Sequence, residues 1–340
     1  MNLEDIAKLA GVSRSTVSRV VNNDPRVSAR VRTRVQETID AVGYRPNAAA
    51  RALASHRSRA IGLVVPEDFA DYHVDAWYAI IIQAVLAAAR DAGQSLMLIM
   101  EDTFAPGAGQ RVLSQFIDSH RVDGLLVLQH SYRDHLSGPL LDAGVPVVHL
   151  CESDYPHTAW VDNDNRRGGA MAAEMLRSAG ASRPLIVAAA LEHVPTRRRL
   201  QGFHDIFPAA GMLITDHSVS SADEMLRKEF ARKEFDAVFT INGWLAPVAH
   251  RVITEAGLRI PTDVCLISFD DFDTDTSRRL ELTSLVQHTT LLAGHAVRLL
   301  IDRVEGRSPP GECIVLDTEL ISRGSCGELT AISMQGGAAE

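Results

Sequence analysis

Beyond residue 60 the chain alternates short apolar runs with helical segments, and this alternation restricts its fold more than any other feature. AIGLVVP (60–66), SLMLIM (95–100), VDGLLVL (122–128), VPVVHL (145–150), PLIVAAA (184–190), AVFTIN (237–242) and VCLISFDD (264–271) read as strands. Between them WYAIIIQAVLAAARDAG, QRVLSQFIDSH, the short PLLDAG, NRRGGAMAAEMLRSAG, RRRLQGFHDIFPAAG, DEMLRKEFARK, LAPVAHRVITEAGL and LLAGHAVRLLIDRVEG read as helices. A weaker strand is expected near 213–219, LTSLVQ as short and extended, and ECIVLDTELISRGS as a closing extended pair. Continuous apolar strands separated by helices form parallel sheets covered on both faces. About 270 residues is long for one hydrophobic core. The pattern therefore divides into two doubly wound α/β lobes, with a ligand cleft beyond the carboxyl ends of the strands.

The first 59 residues follow another rule. LEDIAKLA places Leu3, Ile6, Ala7 and Ala10 on one helical face, and Gly11 closes it. Ser13 is a suitable N-cap for a second helix running to about Val21, with Val17 and Val20 inward. Asn22 to Pro25 end it, and Ser28 is expected to cap a third helix, closed by Gly43. Three short helices with a tight first turn make a helix-turn-helix head. Its second helix carries Arg14 and Arg19 and almost no acid, which a generic bundle does not explain. Residues 1–59 hold 11 Lys and Arg against 5 Asp and Glu; the remainder holds 23 against 38. A basic head on an acidic body points to nucleic acid at one end only. The AAARALA segment after Pro46 favours helix but spans about two turns, too short to hold alone.

The expected organisation is a head over 1–45, a hinge over 46–59, a two-lobed body over 60–330 and a tail over 331–340. The N-terminal lobe takes about 60–160 and 290–325, the C-terminal lobe about 161–289.

Other chemistries find little support. No apolar run reaches about 18 residues, so no membrane span is expected. The start MNLEDIAKLAG lacks the basic and apolar blocks of a secretory signal, which places the protein in the cytoplasm. Cys151, Cys265, Cys313 and Cys326 form no CxxC pair and there is no HExxH, so neither metal nor cofactor is expected. Asp271, Asp273 and Asp275 have calcium-loop spacing, but Thr276 and Leu282 stand where that loop needs Gly and Glu. PGAG (106–109) lacks the spacing of a phosphate-binding turn, and the tail lacks a leucine heptad. A transport solute-binding protein would show a signal peptide and no basic head. An α/β enzyme would show convergent acid–base or nucleophilic residues, and none stands out.

Over nearly its whole length the chain resembles transcriptional regulators of the lactose-repressor (LacI/GalR) family. The resemblance is carried by DIAKLAGVSRSTVSRVVNN, VSARVRTRVQETIDAVGYRPNAAARALAS, RSRAIGLVVP, HRVDGLLVL, AGVPVV, RLQGF, AGLRIPTDVCLISFDD, LTSLVQ and the closing RGS. It implies a DNA-reading head and a body folded like a periplasmic sugar-binding protein, acting as a homodimer on a pseudo-palindromic operator. It implies base contacts for Arg14 and Ser15, a third base or a phosphate for Arg19, and phosphate contacts for Ser13, Thr16, Ser18, Asn22 and Ser28. It implies a hinge helix that places Leu53 in the minor groove, with Asn47, Ala50 and Arg51 alongside. In the cleft it implies an effector, a sugar or derivative, on Arg199, Asn242, Asp270 and Gln287. It also implies an acid from VDNDN, Asp162 or Asp164, and a ring wall from Trp77 and Tyr78. Adjacent helix positions are not expected both to face inward, which favours the wall over the core. The family's Asn-Asp after the TIN-type strand is here Asn242-Gly243, so one carboxylate is absent.

Overall fold

The computed structural model describes residues 2–21, 24–44, 57–66, 76–103, 105–128, 135–189, 191–216, 218–231, 234–271, 275–309 and 311–327. It divides into two compact units, Met1–Ser58 and Arg59–Glu340.

The head contains α1 (Leu3–Ala10), α2 (Arg14–Val21) and α3 (Ala29–Val42). The Asn2 side chain accepts from the Glu4 and Asp5 amides, and the Asp5 carboxylate accepts from the Asn2 amide. This reciprocal cap fixes the start of α1. Gly11, at φ +61°, ends it in the left-handed region and turns the chain into α2. Ile6, Ala7, Ala10, Val17, Val20, Val35 and Ile39 bury one another, so each helix gives its apolar stripe to the same small core. Ser28 sits at the α3 N-cap position, but its hydroxyl makes no capping bond.

The body holds two six-stranded sheets. The first has the order β11-β5-β4-β3-β1-β2. Its strands are β1 (Ala60–Pro66), β2 (Ser95–Glu101), β3 (Leu125–Leu128), β4 (Val147–Leu150), β5 (Ala159–Asn163) and β11 (Cys313–Leu316), all parallel. Helices α4 (Ala76–Asp91), α5 (Ala108–Val112), α6 (Ser137–Asp142) and α12 (Thr289–Val304) accompany it. The second sheet has the order β12-β10-β9-β8-β6-β7. It contains β6 (Pro184–Ala189), β7 (Gly211–Thr215), β8 (Ala237–Thr240), β9 (Cys265–Phe269), β10 (Thr283–Val286) and the antiparallel β12 (Glu319–Ile321). Its helices are α7 (Asn165–Ser178), α8 (Val194–His204), α9 (Val219–Phe230), α10 (Leu245–Glu255) and α11 (Asp275–Arg279). Each sheet has a separate apolar cluster on either face, as helices on both sides require.

The structure corrects the sequence reading in several places. The helix expected at QRVLSQFIDSH starts earlier, at Ala108, and widens to a π-turn over Leu113–Ile117. β5 was not foreseen, because its Asp162 and Asn163 break the apolar run. The closing extended pair is not a hairpin: β11 joins the first sheet beside β5, and β12 joins the second beside β10. Segment 319–321 thus belongs to the C-terminal lobe, and β5 carries the N-terminal lobe to Asn163. The loop after β9 contains α11, with Ser277 buried; Asp273 lies outside the described residues.

Candidate functional site

In the head, α2 is an amphipathic helix with a thin interior face. Only Val17 and Val20 are buried along it. Arg14, Ser15 and Arg19 are exposed, with Thr16 and Ser18 half-buried. The Ser13 hydroxyl accepts from the Thr16 amide at 3.1 Å and lies 2.8 Å from both the Ser15 and Thr16 hydroxyls. Ser13 therefore caps α2 and links the hydroxyls of its first turn. The nearest acid to Arg14 is Glu4, at 4.0 Å, with both side chains about two-thirds exposed. An exposed pair at that distance barely holds the guanidinium. Asn22, Asn47, Ala50, Arg51 and Leu53 lie outside the described residues.

In the body, the strand ends of the two lobes converge on one polar group. Arg199, on α8, is 5% exposed. Its Nε donates to Asn165 Oδ1 at 2.8 Å and its Nη1 to the Ile241 carbonyl at 2.7 Å. The guanidinium carbon lies 3.5 Å from the centre of the Phe269 ring, a cation–π contact made in a desolvated setting. Asp270 Oδ2 is 3.9 Å from Nη1.

Two glycines fix this arginine. A Cβ on Gly169 would lie 2.0 Å from the Arg199 carbonyl oxygen, and one on Gly202 would lie 1.8 Å from the Arg166 carbonyl oxygen. α7 and α8 therefore cross at a distance that admits no side chain, which brings Arg199 against Asn165.

Asp270 has φ +79°, in the region that disfavours a residue with a Cβ. A strained, buried acid at a strand end is a mark of a functional position. Burial pushes its pKa up, with Arg199, the Gln287 amide and the Gly243 amide acting against that. Gln287 Nε2 donates to Asp270 Oδ1, and Gln287 Oε1 accepts from Asn163 Nδ2 at 2.9 Å. This chain of amides links the end of β5 in one lobe to the ends of β9 and β10 in the other.

The two acids of VDNDN sit in different surroundings, Asp162 buried and Asp164 at a helix start. Asp162 is 2% exposed, and accepts from the Glu152 amide at 2.9 Å and the Asn163 amide at 2.7 Å. Burial raises its pKa to about 6. Asp164 is instead the N-cap of α7, accepting from the Arg167 amide at 2.8 Å. Asn163 Oδ1 and Asn242 Oδ1 are both shut from water with no hydrogen-bond partner among the described residues. An unpaired buried carbonyl oxygen is costly, and a donor from a bound molecule would satisfy it.

Trp77 and Tyr78 are 4% and 2% exposed, and their rings meet edge to face with centroids 5.4 Å apart. Both belong to the first lobe's core, with Ile61, Ile81, Val85 and Leu292. The expectation that adjacent positions cannot both be interior is thereby corrected. α4 is covered by its sheet and by α12, so two directions about 100° apart are both buried. Asn163 and Asn165 were missed as members of the polar group. Their signal was the polar run itself, VDNDN, at the point where an apolar pattern stops.

The chain is similar to known proteins over nearly its whole length. A family model for bacterial regulatory proteins of the lacI family matches residues 2–47, and one for a periplasmic binding protein-like domain matches 157–326. The HTH-type transcriptional regulator CelR of Thermobifida fusca is 33% identical, covering 95% of this chain and 97% of its own. The ribose operon repressor of Escherichia coli K12 is 27% identical over 95% and 99%. Among solved structures, a lac repressor dimer bound to operator and the anti-inducer ONPF has a TM-score of 0.82 at 26% identity, covering 96% of this chain and 99% of that one. A CelR–cellobiose complex has a TM-score of 0.69 at 30% identity, over 96% and 99%. The chain therefore belongs to the lacI family of bacterial regulatory proteins, and is a DNA-binding transcriptional regulator.

Proposed function

We propose that this regulator represses a sugar or related catabolic operon, and that a sugar bound between its lobes controls its grip on a pseudo-palindromic operator. The observation that carries the ligand reading is the polar group around Arg199. It combines two buried carboxylates, one guanidinium and two unpaired amide oxygens, all aimed at hydrogen bonding. Such a set complements sugar hydroxyls, which donate and accept alternately. Trp77 and Tyr78, the rings expected to wall the cleft, are packed in the core, which favours a hydroxyl-rich ligand over a planar base. Arg199, Asp162, Asp270, Asn163, Asn242 and Gln287 hold the ligand, and Asp164 serves its helix. The cellobiose-bound relative makes cellobiose the first probe.

In the head, Arg14, Ser15 and Arg19 read base edges, with guanine the target for the forked Arg14. Ser13, Thr16, Ser18, Asn22 and Ser28 hold phosphates. Asn47, Ala50, Arg51 and Leu53 form the hinge that wedges the minor groove. The working unit is a homodimer. In support, one edge strand of each sheet bears exposed large side chains, Leu98 and Met100 on β2 and Met212 and Ile214 on β7. The protein acts by binding and carries no catalytic residue. It works in the cytoplasm; among the described residues no helix is long and apolar enough to cross a membrane.

A thermal-shift screen of the full chain against cellobiose, other disaccharides and pentoses tests the ligand. A rise in Tm with one sugar, lost in Asp270→Asn, is expected. A response to nucleobases alone would overturn the sugar assignment.

A further inference from the structure

Two ion pairs join the lobes beside the polar group. The chain leaves β4 through Cys151, at φ +126°, and reaches β5 through residues 151–158. Arg198 Nε donates to Glu152 Oε2 at 2.8 Å and Nη2 to Glu152 Oε1 at 2.5 Å, a bidentate pair. Arg197 Nη2 donates to Asp154 Oδ2 at 2.5 Å, while its Nη1 donates to the Glu192 carbonyl at 2.6 Å and so holds the guanidinium in place. Both acids belong to the N-terminal lobe. Both arginines lie on α8 of the C-terminal lobe, directly before Arg199. The Glu152 backbone amide also donates to Asp162, so the segment bearing these acids is tied to the floor of the pocket.

We propose that Glu152–Arg198 and Asp154–Arg197 form an inter-lobe latch that holds the lobes in their ligand-enclosing arrangement and thereby sets effector affinity. A single half-exposed ion pair stabilises a fold little. Separation of the lobes, however, breaks both pairs in one motion. A ligand that needs the closed arrangement loses affinity in proportion to the closed fraction that is lost. None of its four residues belongs to the polar group around Arg199, so they tune affinity and leave the choice of sugar to Asp162, Arg199 and Asp270. The effect on affinity rests on the reading that the ligand sits between the lobes; the latch itself is testable without one.

The test is a charge-swap cycle on the full chain: Glu152→Arg, Arg198→Glu and the double variant. Amide hydrogen exchange is read without ligand at two places, the latch segments 151–158 and 194–199, and the pocket floor at 241–243 and 268–271. Faster exchange at both places in each single variant, restored in the double, is the expected result. Faster exchange confined to the latch segments would reduce the pairs to local contacts and overturn the proposal, as would singles that exchange like the wild type. A cellobiose titration forms a separate arm. Affinity is expected to fall about fivefold in each single variant and to return in the double. If the wild type binds no sugar at all, the sugar reading fails, and the exchange cycle still decides the latch.

Discussion

The molecule carries two arginine-bearing helices that use the same side chain in opposite ways. α2 keeps Arg14 and Arg19 in water and buries only two valines. α8 buries Arg199 on a Phe269 ring, bonded to Asn165 and the Ile241 carbonyl, with Asp270 beside it. An exposed guanidinium with no firm partner is free to find one outside the protein. A buried guanidinium already bound on three sides holds its own partners in place. The first arrangement costs the fold nothing and suits a partner bearing its own charge. The second ties stability to the site, because its partners were desolvated to meet it.

The same substitution should therefore have very unequal consequences for stability in the two helices. Arg199→Ala leaves Asp270 and Asn165 buried without their cationic partner and is expected to cost about 3–5 kcal/mol. Urea unfolding of the full chain measures it; a loss below about 1 kcal/mol would show that water reaches the site freely.

Asp162 gives the next largest effect and sharpens the account of the buried site. Its pKa rises from 3.8 to about 6 in the folded chain because burial disfavours the charged form. Between those values the folded state holds a proton that the unfolded state has released. Its contribution to stability thus falls as pH rises through that window, and nothing further is lost above it. Asp162→Asn removes this dependence. The variant should gain on the wild type between pH 4 and pH 7, by on the order of 2–3 kcal/mol. Parallel stability profiles for the two proteins would refute the burial argument.

The smallest effect belongs to the head. Arg14→Ala should change stability by no more than about 0.5 kcal/mol, since Arg14 is exposed and, among the described residues, is held by one long contact to Glu4. A larger loss in head unfolding would mean that Arg14 supports the helix and does not wait for DNA.

The contrast between these helices also explains what the sequence disclosed. α2 was legible because it carries arginines and hydroxyls with only two valines facing inward, and Gly11 and Ser13 marked the turn before it. The parallel sheets were legible because their strands are apolar throughout. The strand β5 was not, since Asp162 and Asn163 interrupt its apolar run. The fate of the closing segment was not legible either. Whether β11 and β12 pair with each other or separate depends on where the two sheets lie, which no local pattern records. The burial of both Trp77 and Tyr78 is not legible in a single-face helical pattern, because two neighbours cover α4. The Glu152 and Asp154 partners of α8 were invisible, being more than forty residues away in sequence.

The central claim is that α2 faces DNA while α8 faces a ligand. Fluorescence anisotropy of the full chain on DNA upstream of its own gene and on a scrambled duplex tests it most directly, comparing wild type with Arg14→Ala. The wild type should prefer the upstream DNA, and Arg14→Ala should lose about 1–3 kcal/mol of that preference while retaining non-specific binding. An equal loss on both duplexes, or no preference in the wild type, would contradict the assignment of α2 to base reading.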